Sequence, residues 1–153
     1  MTQTGNQPYA GAAMLIRRPV AVVFNAFIDP AETTRFWFTQ STGKLAAGAE
    51  VVWTWEMYHV STPVRVEEIV ENERIFLEWE GSGMVEWTFE ELGPDATFVN
   101  IVNTGIPADE ELVAKVRDLT EGFTLVLSGL KAYLEHGIEL GLVGDRFPKE
   151  MRG

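Results

Sequence analysis

The chain has 153 residues, 46% of them apolar and 23% charged, which is the balance of one globular domain and excludes a disordered polyelectrolyte. It has no cysteine, so a disulfide framework, thiolate zinc or iron–sulfur ligation and a thiol nucleophile are all excluded. Twelve Lys and Arg against 23 Asp and Glu leave a net charge of -11, a field that repels nucleic acid and anionic membrane surfaces.

Residues 1–11 are polar, include Gly5 and Pro8, and read as a flexible N-terminus. Met1–Ala13 carries no Lys or Arg, and no stretch approaches the ~20 apolar residues of a membrane span. The expectation is a protein without a leader or spanning helix, at home in the cytoplasm. Ala12–Ile16 reads as a short strand, and Pro19 then stands where the first turn of a helix tolerates a missing N–H, ahead of a helix over Val20–Phe27. Asp29-Pro30-Ala31-Glu32 has the spacing of a capping box and predicts a second short helix that carries Phe36, Trp37 and Phe38 near its end. Thr39–Gly48 is expected to be a loop.

From Glu50 to about Thr104 the period changes to 2. Val51, Trp53, Trp55 and Met57 share one face, opposite Val52, Thr54, Glu56 and Tyr58. The alternation recurs as Ile75, Leu77 and Trp79, then Val85, Trp87 and Phe89, then Val99, Ile101 and Asn103. Val64 and Val66 belong to a further strand in which Ile69 breaks parity, so a bulge or strand end is expected near Glu68. The separators Glu71-Asn72-Glu73, Gly81-Ser82-Gly83 and Gly93-Pro94-Asp95 are too short for crossover helices. An antiparallel meander of about five strands follows, apolar on one face and acidic on the other. Pro107, with Asp109, Glu110 and Glu111 behind it, predicts the opening of a long helix. Its stripe is Leu112, Val116, Leu119, Phe123, Val126, Leu130 and Tyr133 or Leu134, and His136 and Gly137 mark its end. Residues 138–153 form a tail with no strong pattern, free to fold back.

These elements predict an α+β domain over residues 12–137: a curved antiparallel β-sheet whose apolar face is covered by a long C-terminal α-helix, with two short helices after the first strand. Sheet curvature around a straight helix leaves space that becomes either a pocket or a core, according to side-chain volume. The order of elements resembles the SRPBCC superfamily, also called START-like or birch-pollen-allergen-like. So do Arg18-Pro19, Asp29-Pro30 before Phe36-Trp37, Arg74 to Glu80, Thr104-Gly105-Ile106-Pro107, and Gly122-Phe123 followed by Leu130 to Glu135. Within it the chain is similar to small proteins related to the activator of heat-shock protein 90 ATPase. The resemblance implies a helix-grip fold with an elongated cavity between sheet and last helix. Phe123 is a departure, standing where many relatives have Trp. Members of the superfamily bind apolar or amphipathic small molecules, some cyclise or dehydrate polyketides, and the namesake stimulates a chaperone, so the fold alone does not choose an activity.

The chemistry-bearing residues are few. Only two His, 59 and 136, are present, too few for a three-ligand zinc site without Cys. His59 reads as a surface turn residue ahead of a general base, and His136 as a helix-end residue. Glu78, Glu80, Glu86 and Glu90 have parity opposite to the Trp and are expected in solvent. Arg65 and Glu67 are either an outer cross-strand pair or, if a bulge reverses the register, a buried ion pair. Asn103 has inward parity and could give a pocket polar contacts together with Tyr58, Thr54 or Arg35. No Gly-rich phosphate cradle and no G-x-S-x-G elbow occurs, so no cofactor is expected.

The inner face and the helix stripe supply the candidate ligand-binding set: Trp53, Trp55, Met57, Trp79, Trp87, Phe89, Asn103, Leu119, Phe123 and Val126. Taken singly, each large aromatic reads better as core, burying ~150–250 Å². As a set, under the resemblance, they read as the lining of a partly apolar pocket. The expected function is non-catalytic binding of a hydrophobic or amphipathic small molecule. One alternative is a polyketide cyclase or dehydratase-like enzyme using Asn103, Tyr58, His59 or Arg65. The other is a chaperone ATPase-regulating interaction protein. A homodimer is compatible with every one of these readings.

Overall fold

Strict alternation fixes which side of each strand is buried. Val51, Trp53, Trp55, Val64, Val66, Ile75, Leu77, Val85, Trp87, Phe89, Val99 and Ile101 are all buried, and Trp79 is partly so. Their shared face belongs to one antiparallel sheet in the computed structural model, which describes residues 7–151. The first six residues of the expected flexible N-terminus, and Arg152 and Gly153 of the tail, lie outside the described residues.

The strands are β1 (Ala10–Ile16), β2 (Gln40–Ser41), β3 (Glu50–Trp55), β4 (Val60–Val70), β5 (Arg74–Trp79), β6 (Gly83–Gly93) and β7 (Ala96–Thr104). Helices α1 (Val20–Ile28) and α2 (Pro30–Thr33) lie between β1 and β2, and α3 (Leu112–His136) follows β7. The sheet order is β1-β7-β6-β5-β4-β3-β2, a meander whose last strand is joined by the first. The sheet curls round α3 as a half-barrel, the helix-grip arrangement that the sequence implied. Lys131 on α3 donates to the Leu15 carbonyl at 2.7 Å, and Arg18 donates to the Leu134 carbonyl at 2.9 Å. Helix α3 thus covers the free edge of β1, which would otherwise offer unpaired backbone groups.

The β4 bulge is where parity predicted it. Val66 pairs with Leu77 and Ile69 with Ile75, but Glu67 and Glu68 together oppose Phe76. The extra residue returns Ile69 to the inner face. Arg65 lies outside, paired with Glu67 at 2.8 Å and Glu78 at 2.7 Å, which settles the choice between an outer and a buried pair. Arg74 bridges Glu68 and Glu86 on the same face and lies over the Phe76 ring at 4.7 Å. The acidic outer face is therefore laced by two arginines.

Five local expectations need correction. Helix α2 ends at Thr33, so Phe36, Trp37 and Phe38 follow it in turns instead of ending it. Asp29 does cap, accepting from the Ala31 N–H at 3.0 Å, but Glu32 accepts the Tyr133 hydroxyl at 2.6 Å and so does not close the box. The expected loop after Phe38 contains β2, paired with Thr54 and Trp53. Met57 belongs to a 3₁₀ turn over Glu56–Tyr58, closed by His59 at φ 54, and does not extend β3. Finally, α3 begins at Leu112, five residues after Pro107. Asp109 there accepts from Glu111 N–H at 2.9 Å and from Lys115 at 2.7 Å, and this local turn competes with helix. At its other end Gly137 adopts φ 67, with Gly137 and Ile138 N–H groups returning to Tyr133 and Ala132, as a C-cap requires.

Candidate functional site

Three consecutive aromatics after α2 enter the domain from its mouth. Trp37 is the hub: its ring centroid lies 4.9 Å from Trp53, 5.8 Å from Trp79, 6.0 Å from Trp87 and 6.3 Å from Trp55. Phe38 stacks on Trp53 at 4.8 Å, and Phe123 from α3 meets Trp79 edge-on at 6.2 Å. Seven of the ten expected lining residues are buried: Trp53, Trp55, Trp87, Phe89, Phe123 and Val126 in this packing, and Asn103 beside the β5–β6 turn. Trp79 and Leu119 are partly buried against it, as is Met57. The aromatic layer is thus a densely packed wall between sheet and helix.

Open space lies at the outer end of that wall. A cleft of about 390 Å³ is bounded on one side by Phe36, Trp37, Thr39 and Met57, at its floor by Gly129 of α3, and on the other side by residues 139–145. That volume falls within the range of small-molecule sites. Gly129 lets Phe36 lie close over α3: a Cβ there would stand 3.4 Å from the Phe36 Cβ, in van der Waals contact with it. Phe36 is held in place by Tyr133, whose ring stacks on it at 6.3 Å. The Tyr133 hydroxyl donates to Glu32, and that hydrogen bond, with burial, raises its pKa above the usual phenol value.

The second wall is the tail. After Gly137 the chain doubles back and forms α4 (Leu142–Asp145). The Tyr58 hydroxyl donates to the carbonyls of Val143 and Gly144. Arg146 pairs with Glu121 of α3 at 2.6 Å, Phe147 meets the Tyr58 ring at 6.1 Å, and Arg35 pairs with Glu139 at 3.0 Å. The Glu139 hydrogen bond and charge raise the Arg35 pKa further above its ordinary value.

The polar candidates are dispersed. Asn103 donates to the carbonyls of Ser82 at 2.8 Å and Met84 at 3.1 Å, tying the β5–β6 turn, and its carbonyl oxygen is buried without a partner. Thr54 pairs with Ser61 at 2.8 Å, and Arg65 stays on the outer face. His59 is exposed in its left-handed turn. Tyr58, Asn103, Thr54 and Arg35 therefore each hold a different partner and do not converge as an acid–base group. Among the described residues no cluster of three or more His, Asp or Glu is placed to hold a metal ion, and no helix is long and apolar enough to cross a membrane.

Met57 and Arg35, both named from the sequence, line the cleft together with Trp37, Gly129 and residues 139–145, which the sequence did not single out. The run Phe36-Trp37-Phe38 was the available signal, since three successive aromatics cannot all face one side of a helix.

Residues 17–135 match the family described as Activator of Hsp90 ATPase homolog 1-like protein. No curated protein matches the chain. Among solved structures, a protein from Staphylococcus saprophyticus is 28% identical with a TM-score of 0.77, over 87% of this chain and 96% of that one. DynU16, from the dynemicin biosynthetic locus, is 21% identical with a TM-score of 0.73, over 86% of this chain and 48% of that one. The Aha1 dimer from Colwellia psychrerythraea is 14% identical with a TM-score of 0.72, over 85% of this chain and 98% of that one.

Proposed function

The chain belongs to the Activator of Hsp90 ATPase homolog 1-like family, and from that premise we propose that it binds a hydrophobic or amphipathic small molecule without transforming it. The observation that carries this reading is the cleft itself: about 390 Å³ of open space whose walls include Phe36, Trp37, Met57, Leu142 and Val143. An apolar ligand group gains by leaving water against such walls. Met57 contacts the ligand directly. The packed layer of Trp53, Trp55, Trp79, Trp87, Phe89, Leu119, Phe123 and Val126 backs Trp37 and sets the depth to which the ligand enters. Asn103 lies apart from the cleft, tying the β5–β6 turn.

The absence of chemistry in this proposal rests on the dispersed polar groups, with the Tyr58 hydroxyl already held by two carbonyls. DynU16 makes an enzymatic role the competing reading, and the family description makes a chaperone regulator another. The Colwellia psychrerythraea dimer makes a second copy of the chain a partner to test by light scattering. Native mass spectrometry of protein purified without organic solvent, followed by titration with decan-1-ol, tests the binding reading. A stoichiometric adduct, or saturable decan-1-ol binding lost in Met57→Glu, supports it. A bare mass with no decan-1-ol binding refutes it, and stimulation of the chaperone's ATPase on mixing would then favour the regulator.

A further inference from the structure

Arg35 and Glu139 face each other at the rim of the cleft, one on the body of the domain and the other on the tail wall. Their side chains are 53% and 50% exposed, so the pair is reachable from solvent. A guanidinium offers five N–H donors. Of these, Arg35 directs one to Glu139 at 3.0 Å and one to the Ala31 carbonyl at 3.4 Å. Glu32, the nearest acid in sequence, is taken up by the Tyr133 hydroxyl. The carboxylate on Arg35 is therefore supplied by the tail. Arg35 is also the sole cation among the described residues on the cleft wall, beside the apolar surfaces of Trp37 and Met57.

From this juxtaposition we infer that Arg35 anchors the head group of an amphipathic carboxylate, and that Glu139 is its intramolecular competitor. The inference rests on the cleft-binding reading above and names the ligand class. The ligand's carboxylate takes the place of Glu139 on the guanidinium while its apolar chain lies along Trp37. Exchange is cheap, because an exposed ion pair is weak and the released Glu139 returns to water. A carboxylate, that of Glu139, already occupies the position. A cationic amphiphile would find Glu139 already paired with Arg35, and the other wall carboxylate, Asp145, is exposed. The net charge of -11 repels anions at long range, so an anion needs a dedicated cation at its site.

Isothermal titration of the full chain at low ionic strength with decanoate, decan-1-ol and decyltrimethylammonium tests this. Decanoate is expected to bind more tightly than decan-1-ol. Glu139→Gln should raise the ratio of decanoate to decan-1-ol affinity by about 2–5-fold. Arg35→Gln should abolish the preference for decanoate while decan-1-ol still binds, which shows that the variant is folded. If decan-1-ol binds but Glu139→Gln leaves that ratio unchanged, or the cation binds more tightly than the anion, the inference is overturned and the cleft reading stands. If none of the three binds, both fall.

Discussion

Replacing Glu135 with Gln removes one charge from the clamp that ties α3 to the free edge of β1. Glu135 Oε2 accepts from the Arg17 backbone N–H and from Lys131 Nζ, each at 2.7 Å, and Lys131 reaches on to the Leu15 carbonyl. The Glu135 side chain is only 9% exposed. Burial alone would raise its pKa, but the Lys131 and Arg17 hydrogen bonds overcome that and hold it below the usual carboxylate range. Gln keeps an acceptor oxygen and loses the charge. A hydrogen bond to a charged group is worth ~1.5–3 kcal/mol against ~0.5–1.5 for a neutral one, so the Arg17 bond loses about 1 kcal/mol, and the Lys131 bond, whose ammonium stays charged, loses its ion-pair attraction, together about 2 kcal/mol. Lys131 is a third exposed, and screening trims the loss to about 1–2 kcal/mol. For a chain of this size that lowers Tm by about 2–8 °C.

A depressed folded-state pKa stabilises above the unfolded value, about 4.3 for Glu, and that stability is lost as pH falls through the folded pKa. The gap between Glu135→Gln and the parent is therefore full at neutral pH and closes in acid. Urea unfolding followed by Trp fluorescence, at neutral pH and through the acid range, measures it. Equal midpoints at neutral pH, or a gap that persists unchanged in acid, would refute the clamp.

Two further predictions concern the wall and the tail. Phe123 is buried edge-on to Trp79, so Phe123→Trp should overpack the layer and cost about 1–3 kcal/mol; an unchanged urea midpoint would mean that α3 and the sheet enclose unfilled space there. Tyr58→Phe removes the hydroxyl held by the Val143 and Gly144 carbonyls, and should speed amide exchange over residues 142–147 by roughly 2–10-fold without moving the global midpoint. A global shift with no local change would show that the tail is part of the cooperative core.

The sheet was legible because its signal is repetitive. Parity at Trp53, Leu77, Trp87 and Ile101 named the buried face, and the single break at Ile69 located the bulge. The helix start was misread because Pro107 and the acids behind it carry the usual opening signals, yet Asp109 closes a local turn with Glu111 and Lys115. The site was legible only in part. Composition indicated an aromatic interior, but whether six or more rings leave a cavity depends on their packing, and here Trp37 closes the layer. The tail wall left no periodic trace: its contacts, Tyr58 to Val143 and Arg35 to Glu139, join positions 85 and 104 residues apart through single side chains.

The pairing of β1 with β7 also sets an order of events in time. Ala10 pairs with Asn103, and the edge of β1 is then covered by Lys131 of α3. The meander from β3 to β7 can form by successive hairpins, each closing a short loop. The first strand made must wait for the last strand and the last long helix. At ~5–20 residues per second of synthesis, the 93 residues between Ala10 and Asn103 take roughly 5–20 s to emerge. Through that interval Ala10–Ile16 is an apolar segment without its partner, so the nascent chain is most exposed to mispairing at its N-terminal strand. Slowing or pausing translation between β1 and β7 would lengthen that exposure without altering a single native contact.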